Sequence, residues 1–183
     1  SLYDKSFQVF DIEHLIQSVI KTFDTAIKHK NLSVQLNCDE KLNKAVYSDE
    51  SVLKTILKNI IELSINLTEL GSINVELSNP ELSFVEQSGL KLIKNANETS
   101  YMQITITDNG IGLKESELEG IFEPYSQLDK INKKNLVRTF SLGTVKELLK
   151  YLKGTVWIET EIMKGTIFNI IIPVEKGVIN QDE

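Results

Sequence analysis

The sequence is poor in the residues that cross-link chains or hold structural metals. Cys38 is the only cysteine among 183 residues, which excludes an internal disulfide framework and agrees with a reducing compartment. Its ordinary reading is a partly buried, small apolar residue. His14 and His29, the two histidines, share no metal-ligand spacing with it, which argues against structural zinc. No apolar run approaches the roughly 18 residues that a membrane-spanning helix needs. The start, Ser1-Leu2-Tyr3-Asp4-Lys5, lacks the organisation of a signal peptide. Any membrane anchor is therefore expected outside these residues, and the chain reads as cytoplasmic with no direct membrane contact. Basic residues form no stripe, and the formal net charge is -6, so the electrostatic footprint of a nucleic-acid partner is missing. The short runs from Lys28 to Lys30 and from Lys130 to Lys134 read as solvated faces.

What is present suits one soluble domain spanning 1–183, with 41% hydrophobic and 25% charged residues. From Asp11, a helix N-cap candidate, Leu15, Ile16, Val19, Ile20, Phe23 and Ile27 recur at helical spacing toward Lys30. Leu32, Val34 and Leu36 alternate with polar residues as in a half-buried strand. An extended piece at Ala45 to Tyr47 leads to Ser48 or Asp49, which caps a second helix running toward Gly71. Strands are expected at Ser72 to Ser78 and Tyr101 to Thr107, separated by a polar, aperiodic connection over 79–100. A short helix at Glu115 to Gly120 precedes a long charged loop. A third helix covers Leu142 to Leu152, with Gly154 as its C-terminal cap. Two final strands, around Val156 to Ile158 and Ile167 to Ile172, join through Lys164-Gly165. The core is expected over about 7–174, with a fraying tail over 175–183. Helices segregated from strands that pair antiparallel predict an α+β sandwich: a mixed, mainly antiparallel sheet with helices on one face.

Asp108-Asn109-Gly110-Ile111-Gly112 follows a strand and precedes a helix. A short carboxylate accepts hydrogen bonds from an exocyclic base amine, and glycines let backbone approach a ligand closely or take positive φ. Alone, this pattern is equally explained by a strand-to-helix turn with an aspartate cap. There is no Walker-type phosphate loop, G-x-S-x-G elbow, H-E-x-x-H helix or dinucleotide fingerprint.

The ordered set of Asn59, Asp108 to Gly112, Ile121-Phe122-Glu123-Pro124-Tyr125, Gly154 to Glu159, and Lys164 to Phe168 resembles the ATP-binding domain of sensor histidine kinases. Those kinases belong to the ATPase superfamily shared with gyrases, mismatch-repair proteins and a heat-shock chaperone family. Phe7 to Leu36 also looks like the helix and strand that open such domains, so the resemblance spans nearly the whole chain. It implies a two-layer sandwich and a site for ATP or ADP. By that resemblance Asp108 reads the adenine amine, Gly110 and Gly112 fit base and lid, and Thr166 supports the adenine pocket. Asn59 corresponds to the first asparagine of the N box, facing the phosphates, and Phe122 to Tyr125 anchors one end of a lid over 123–140. The implied partners are an upstream phosphoacceptor and dimerisation domain of the same receptor, and a response regulator. Neither His14 nor His29 sits in an acceptor pattern, so both read as surface residues.

Two departures set this chain apart from that pattern. Leu63 stands where the family has a second asparagine to hold magnesium, and leucine offers none of the hard oxygen ligands that magnesium demands. Asn66 replaces a common lysine, and Glu62 and Ser64 point elsewhere on the helix. Without gaps, the glycine-rich phosphate turn falls on Val137 to Leu142, which contains no glycine; sliding it onto Ser141-Leu142-Gly143 recovers one. Backbone amides cradle phosphates only where side chains do not intervene. Arg138 is a candidate for a compensating charge. Three readings follow: a degenerate, kinase-like domain that binds nucleotide or docks partners, which we favour; an active autokinase domain; and a structural scaffold. No residue is assigned as catalytic.

Overall fold

The computed structural model describes residues 6–93, 99–123 and 142–177. Thirteen elements follow one another there: β1 (Gln8–Asp11), α1 (Ile12–Thr22), α2 (Asp24–His29), β2 (Ser33–Cys38), β3 (Ala45–Ser48), α3 (Glu50–Leu67), β4 (Ser72–Ser78), α4 (Leu82–Gln87), β5 (Thr99–Asp108), α5 (Glu115–Leu118), α6 (Gly143–Tyr151), β6 (Thr155–Glu161) and β7 (Gly165–Lys176).

The strands form one sheet in the order β1-β3-β7-β5-β4-β2, with β6 also paired to β7. Only β2 and β4 run parallel; the other pairings are antiparallel. Strand β7 is long enough to pair with β6 through Gly165 to Ile171 and with β3 at Glu175 and Lys176, while β5 flanks it throughout. The expected fraying from Glu175 is corrected here: β3 holds the strand to Lys176.

Period-two alternation sorts the sheet's two faces. Met102, Ile104 and Ile106 of β5 and Phe168, Ile170 and Ile172 of β7 point into the core, where α3 packs on both strands and α1 and α6 flank α3. This is the α+β sandwich expected. Tyr101 and Ile171 face the other way. There, Val85 of α4 buries them with Leu90, Leu92 and Trp157 in a small second cluster. The connection over 79–100 thus carries a short helix and covers part of the outer face; one buried residue in six is too little period to read as a helix.

Capping matches the expected chemistry at two helices. Asp11 accepts from the N–H of His14 at 2.9 Å, and Asp49, rather than Ser48, accepts from Val52 at 3.2 Å. The first expected helix is two, because hydrogen bonding breaks at Phe23 although the apolar period runs on. The left-handed residue closing α6 is Lys153, at φ 59°, and not Gly154. Lys30 is no solvated lysine either. Its ammonium donates to the carbonyls of Ile65 (2.9 Å) and Thr68 (3.2 Å), supplying the positive charge that the last turn of α3 lacks. His14 and His29 lie on the surface, and Cys38 is half-buried. No helix among the described residues is long and apolar enough to cross a membrane.

Candidate functional site

The site is a row of inward-facing polar side chains where hydrophobic residues would otherwise continue the core. Register aligns Asp108, Thr166 and Thr160 across β5, β7 and β6, with the core residue Ile73 of β4 beside Asp108. Asp108 is 3% exposed and Thr166 1%. A carboxylate that deep survives only with hydrogen-bond donors aimed at it. Oδ1 accepts from the N–H of Gly110 at 3.0 Å, and Oδ2 accepts from the hydroxyl of Ser64 at 3.0 Å. Burial pushes the Asp108 carboxyl above its ordinary value of 3.8, while Gly110, Ser64 and the backbone of Thr166 pull it back toward the ionised form.

Ser64 is the residue that sequence reasoning missed. Helical spacing puts it on a side of α3 away from the magnesium position. That is right relative to Leu63, but the same rotation turns Ser64 inward onto Asp108. The available signal was a hydroxyl among Ile60, Ile61, Leu63, Ile65 and Leu67, all buried. A polar side chain in such company needs a partner, and Asp108 was the carboxylate in search of a donor.

The loop after Asp108 is pinned on three sides. Asn109 Oδ1 accepts from the N–H of Ser72 at 2.9 Å, the N–H of Ile111 donates to the Leu67 carbonyl at 3.0 Å, and the Ile111 carbonyl accepts from Met163 at 2.8 Å. Gly110 packs so closely on the end of α3 that a Cβ there would overlap the Leu67 carbonyl oxygen. Gly112 takes φ 72°, which favours glycine. The Thr160 hydroxyl accepts from the N–H of Leu113 at 2.9 Å and lies 3.1 Å from the Thr166 hydroxyl, tying the β6–β7 hairpin to the same loop.

The structure thus brings together Asp108, Gly110, Gly112 and Thr166. Asn59 does not join them. It lies five residues before Ser64, rotated about 140° around the helix, and its amide donates to the Thr55 carbonyl at 2.8 Å. Leu63, one turn after Asn59, is 6% exposed and part of the hydrophobic core. Asn66 and Glu62 are exposed. Phe122 packs partly against the core beneath the Lys146 ammonium, 5.8 Å from its ring centre. Tyr125, Arg138 and most of the expected lid and glycine-rich turn lie outside the described residues.

Residues 48–176 match the family described as histidine kinase-, DNA gyrase B-, and HSP90-like ATPase. The chain belongs to this family. Within it, the chain is an ATP-binding domain of the sensor histidine kinase kind. It is 30% identical over 175 residues to the autoinducer 2 sensor kinase/phosphatase LuxQ of Vibrio vulnificus, a match covering 94% of this chain and 19% of that protein. Sensor protein RprX of Bacteroides fragilis is 29% identical over 169 residues, covering 91% of this chain and 29% of its own length. The chain therefore spans only about a fifth to a third of these relatives. Among solved structures, full-length ShkA in complex with AMPPNP superimposes with a TM-score of 0.70 at 21% identity, covering 95% of this chain and 32% of that one. Histidine kinase ThkA in complex with response regulator protein TrrA gives 0.63 at 20% identity, covering 91% and 41%. At those identities the likeness is one of fold.

Proposed function

We propose that this chain is the nucleotide-responsive domain of a two-component signalling receptor, a kinase-like domain that holds an adenine base and grips the triphosphate weakly. Asp108 carries the reading. An ionised carboxylate offers about four lone-pair sites; Gly110 and Ser64 each take one, and the Thr166 backbone lies close by. Acceptor capacity remains for the exocyclic amine of adenine. Thr166 would support the base, Gly110 and Gly112 would admit it, and Asn59 would face the phosphates.

The phosphate end is different. Magnesium bound there would neutralise developing charge during phosphoryl transfer, but Leu63 supplies a buried isobutyl group at the position of the ligand, and the residues present do not fit the ion. Losing one electrostatic stabiliser costs roughly a hundredfold in rate. In this reading signalling proceeds by nucleotide-dependent conformation or by docking, with an upstream dimerisation domain and a response regulator as partners. ThkA, crystallised with TrrA, offers the parallel. Family membership favours a second reading, an autokinase that passes the γ-phosphoryl group to a histidine on an adjacent domain.

Calorimetry with ATP, ADP and a nonhydrolysable analogue, with and without magnesium, separates them. The expected result is binding that magnesium does not strengthen and that Asp108→Asn abolishes. Strong enhancement by magnesium would support the kinase, and no heat with any nucleotide would leave a scaffold.

A further inference from the structure

The outer face of the sheet carries a groove of about 460 Å³ between α4 and the β6–β7 hairpin, on the opposite side of the sheet from Asp108. Its floor is Trp157 and Glu159, side by side on β6, with Asn169 opposite on β7. Its wall is Phe84, Gln87 and Ser88 of the α4 region. The rings of Phe84 and Trp157 stand 6.0 Å apart at 58° and form one aromatic surface. Phe84 remains 40% exposed.

The carboxylate beside that surface is held in place. Asn169, 4% exposed, donates from Nδ2 to Glu159 Oε2 at 3.0 Å, while its own Oδ1 accepts from the Thr105 hydroxyl at 3.4 Å. Gln103 donates in turn to Thr105 at 3.4 Å. A chain of hydrogen bonds across the sheet thus fixes one carboxylate oxygen of this groove-lining residue, and among the described residues no hydrogen bond occupies Oε1. Among the described residues no cation pairs with Glu159, whereas Glu161, two residues on, is neutralised by Lys164.

We propose that this groove docks a protein segment presenting an arginine, whose guanidinium stacks on Trp157 and donates to Glu159 Oε1. The argument is charge complementarity joined to shape. An aromatic face attracts a cation, most strongly when the face is tryptophan. A planar guanidinium can lie flat on the indole and still direct N–H groups at an oriented carboxylate, which a lysine ammonium cannot do. The chain's net charge of -6 favours a basic partner. The aliphatic neighbours of that arginine would rest on Phe84.

Trp157 is the only tryptophan, so tryptophan emission, excited selectively over tyrosine, reports this side chain. The probe is the peptide acetyl-Ala-Leu-Arg-Leu-Ala-amide, compared with the same peptide carrying citrulline, which keeps the shape and removes the charge. Saturable change is expected with a Kd of about 1–10 mM, as suits one anchored side chain. Citrulline in the peptide, or Glu159→Gln in the protein, should each weaken binding at least about fivefold. Both Glu159 and Phe84 are exposed, so Glu159→Gln and Phe84→Ala should keep the fold, checked by circular dichroism. Equal binding of the two peptides would overturn the proposal in favour of a purely apolar groove. So would an unchanged affinity in Glu159→Gln, or no saturation up to about 50 mM.

Discussion

The hydroxyl of Ser64 donates to Oδ2 of Asp108 at 3.0 Å, joining helix α3 to the polar row of the sheet. Both residues are buried. Ser64→Ala removes one donor from a carboxylate held away from water. A loss of about 1–3 kcal/mol in unfolding free energy is expected, measured by urea denaturation. Ser64→Thr keeps the hydroxyl and should lose less. Equal losses would mean that the hydrogen bond contributes nothing beyond side-chain volume.

The Asp108 carboxyl gives the domain a pH signature. Burial raises it above 3.8 in the folded chain, so between 3.8 and that raised value the folded state binds more protons than the unfolded one. Stability from this group is then greatest below 3.8 and is lost as pH rises through the folded value. Asp108→Asn cannot titrate. The unfolding free energy of the wild type minus that of the variant should therefore fall across this window and level off above it. Nucleotide affinity should move the opposite way, since the ionised carboxylate is the better acceptor. A difference that stays flat with pH would show that burial does not perturb the group.

Gly110 and Gly89 provide a paired test of close approach against backbone conformation. A Cβ at Gly110 would overlap the Leu67 carbonyl oxygen and come within 3.0 Å of Asp108 Oδ1. The first is backbone, and the second belongs to a buried carboxylate held by hydrogen bonds. At Gly89, φ is 89° and nothing lies within 4 Å of the added carbon. Gly89→Ala should cost about 1 kcal/mol, the penalty of a left-handed backbone alone. Gly110→Ala should cost at least about 2 kcal/mol and weaken nucleotide binding, read by thermal unfolding and calorimetry. Similar costs at both positions would show that the loop yields.

Much of this architecture was legible because burial here follows period. The alternation in β2 and β5, the stripe of α1 and α3, and the capping carboxylates of Asp11 and Asp49 are local signals, readable within a few residues. The missed features are those whose cause lies far along the chain. Strand β1 has one buried residue, Phe10, and owes its existence to pairing with β3. Lys30 caps a helix 35 residues away. Ser64 is meaningful only once Asp108 is brought over it, 44 residues later. That Asp108, Gly110, Gly112 and Thr166 belong together was legible because a strand end, two glycines and a hairpin threonine are conspicuous in sequence. Their supporting hydrogen bonds were not, since each joins residues that no short pattern links.

Leu63 is where the sequence and the structure make the sharpest joint claim about chemistry. Its side chain belongs to the hydrophobic core, so replacing it is not a neutral way to restore a metal ligand. Leu63→Asn loses buried apolar contact and introduces an amide, and should cost about 3 kcal/mol in stability. If the apolar side chain is what weakens the phosphate end, the variant should also acquire nucleotide binding that magnesium strengthens, despite being less stable. Calorimetry below the variant's melting temperature, with and without the metal, reads that directly. A destabilised variant whose binding remains indifferent to magnesium would assign the weakness to the glycine-poor turn instead. The two departures are separable because the stability cost falls on the core around α3, whereas any metal response requires phosphate, amide and ion to meet in one place.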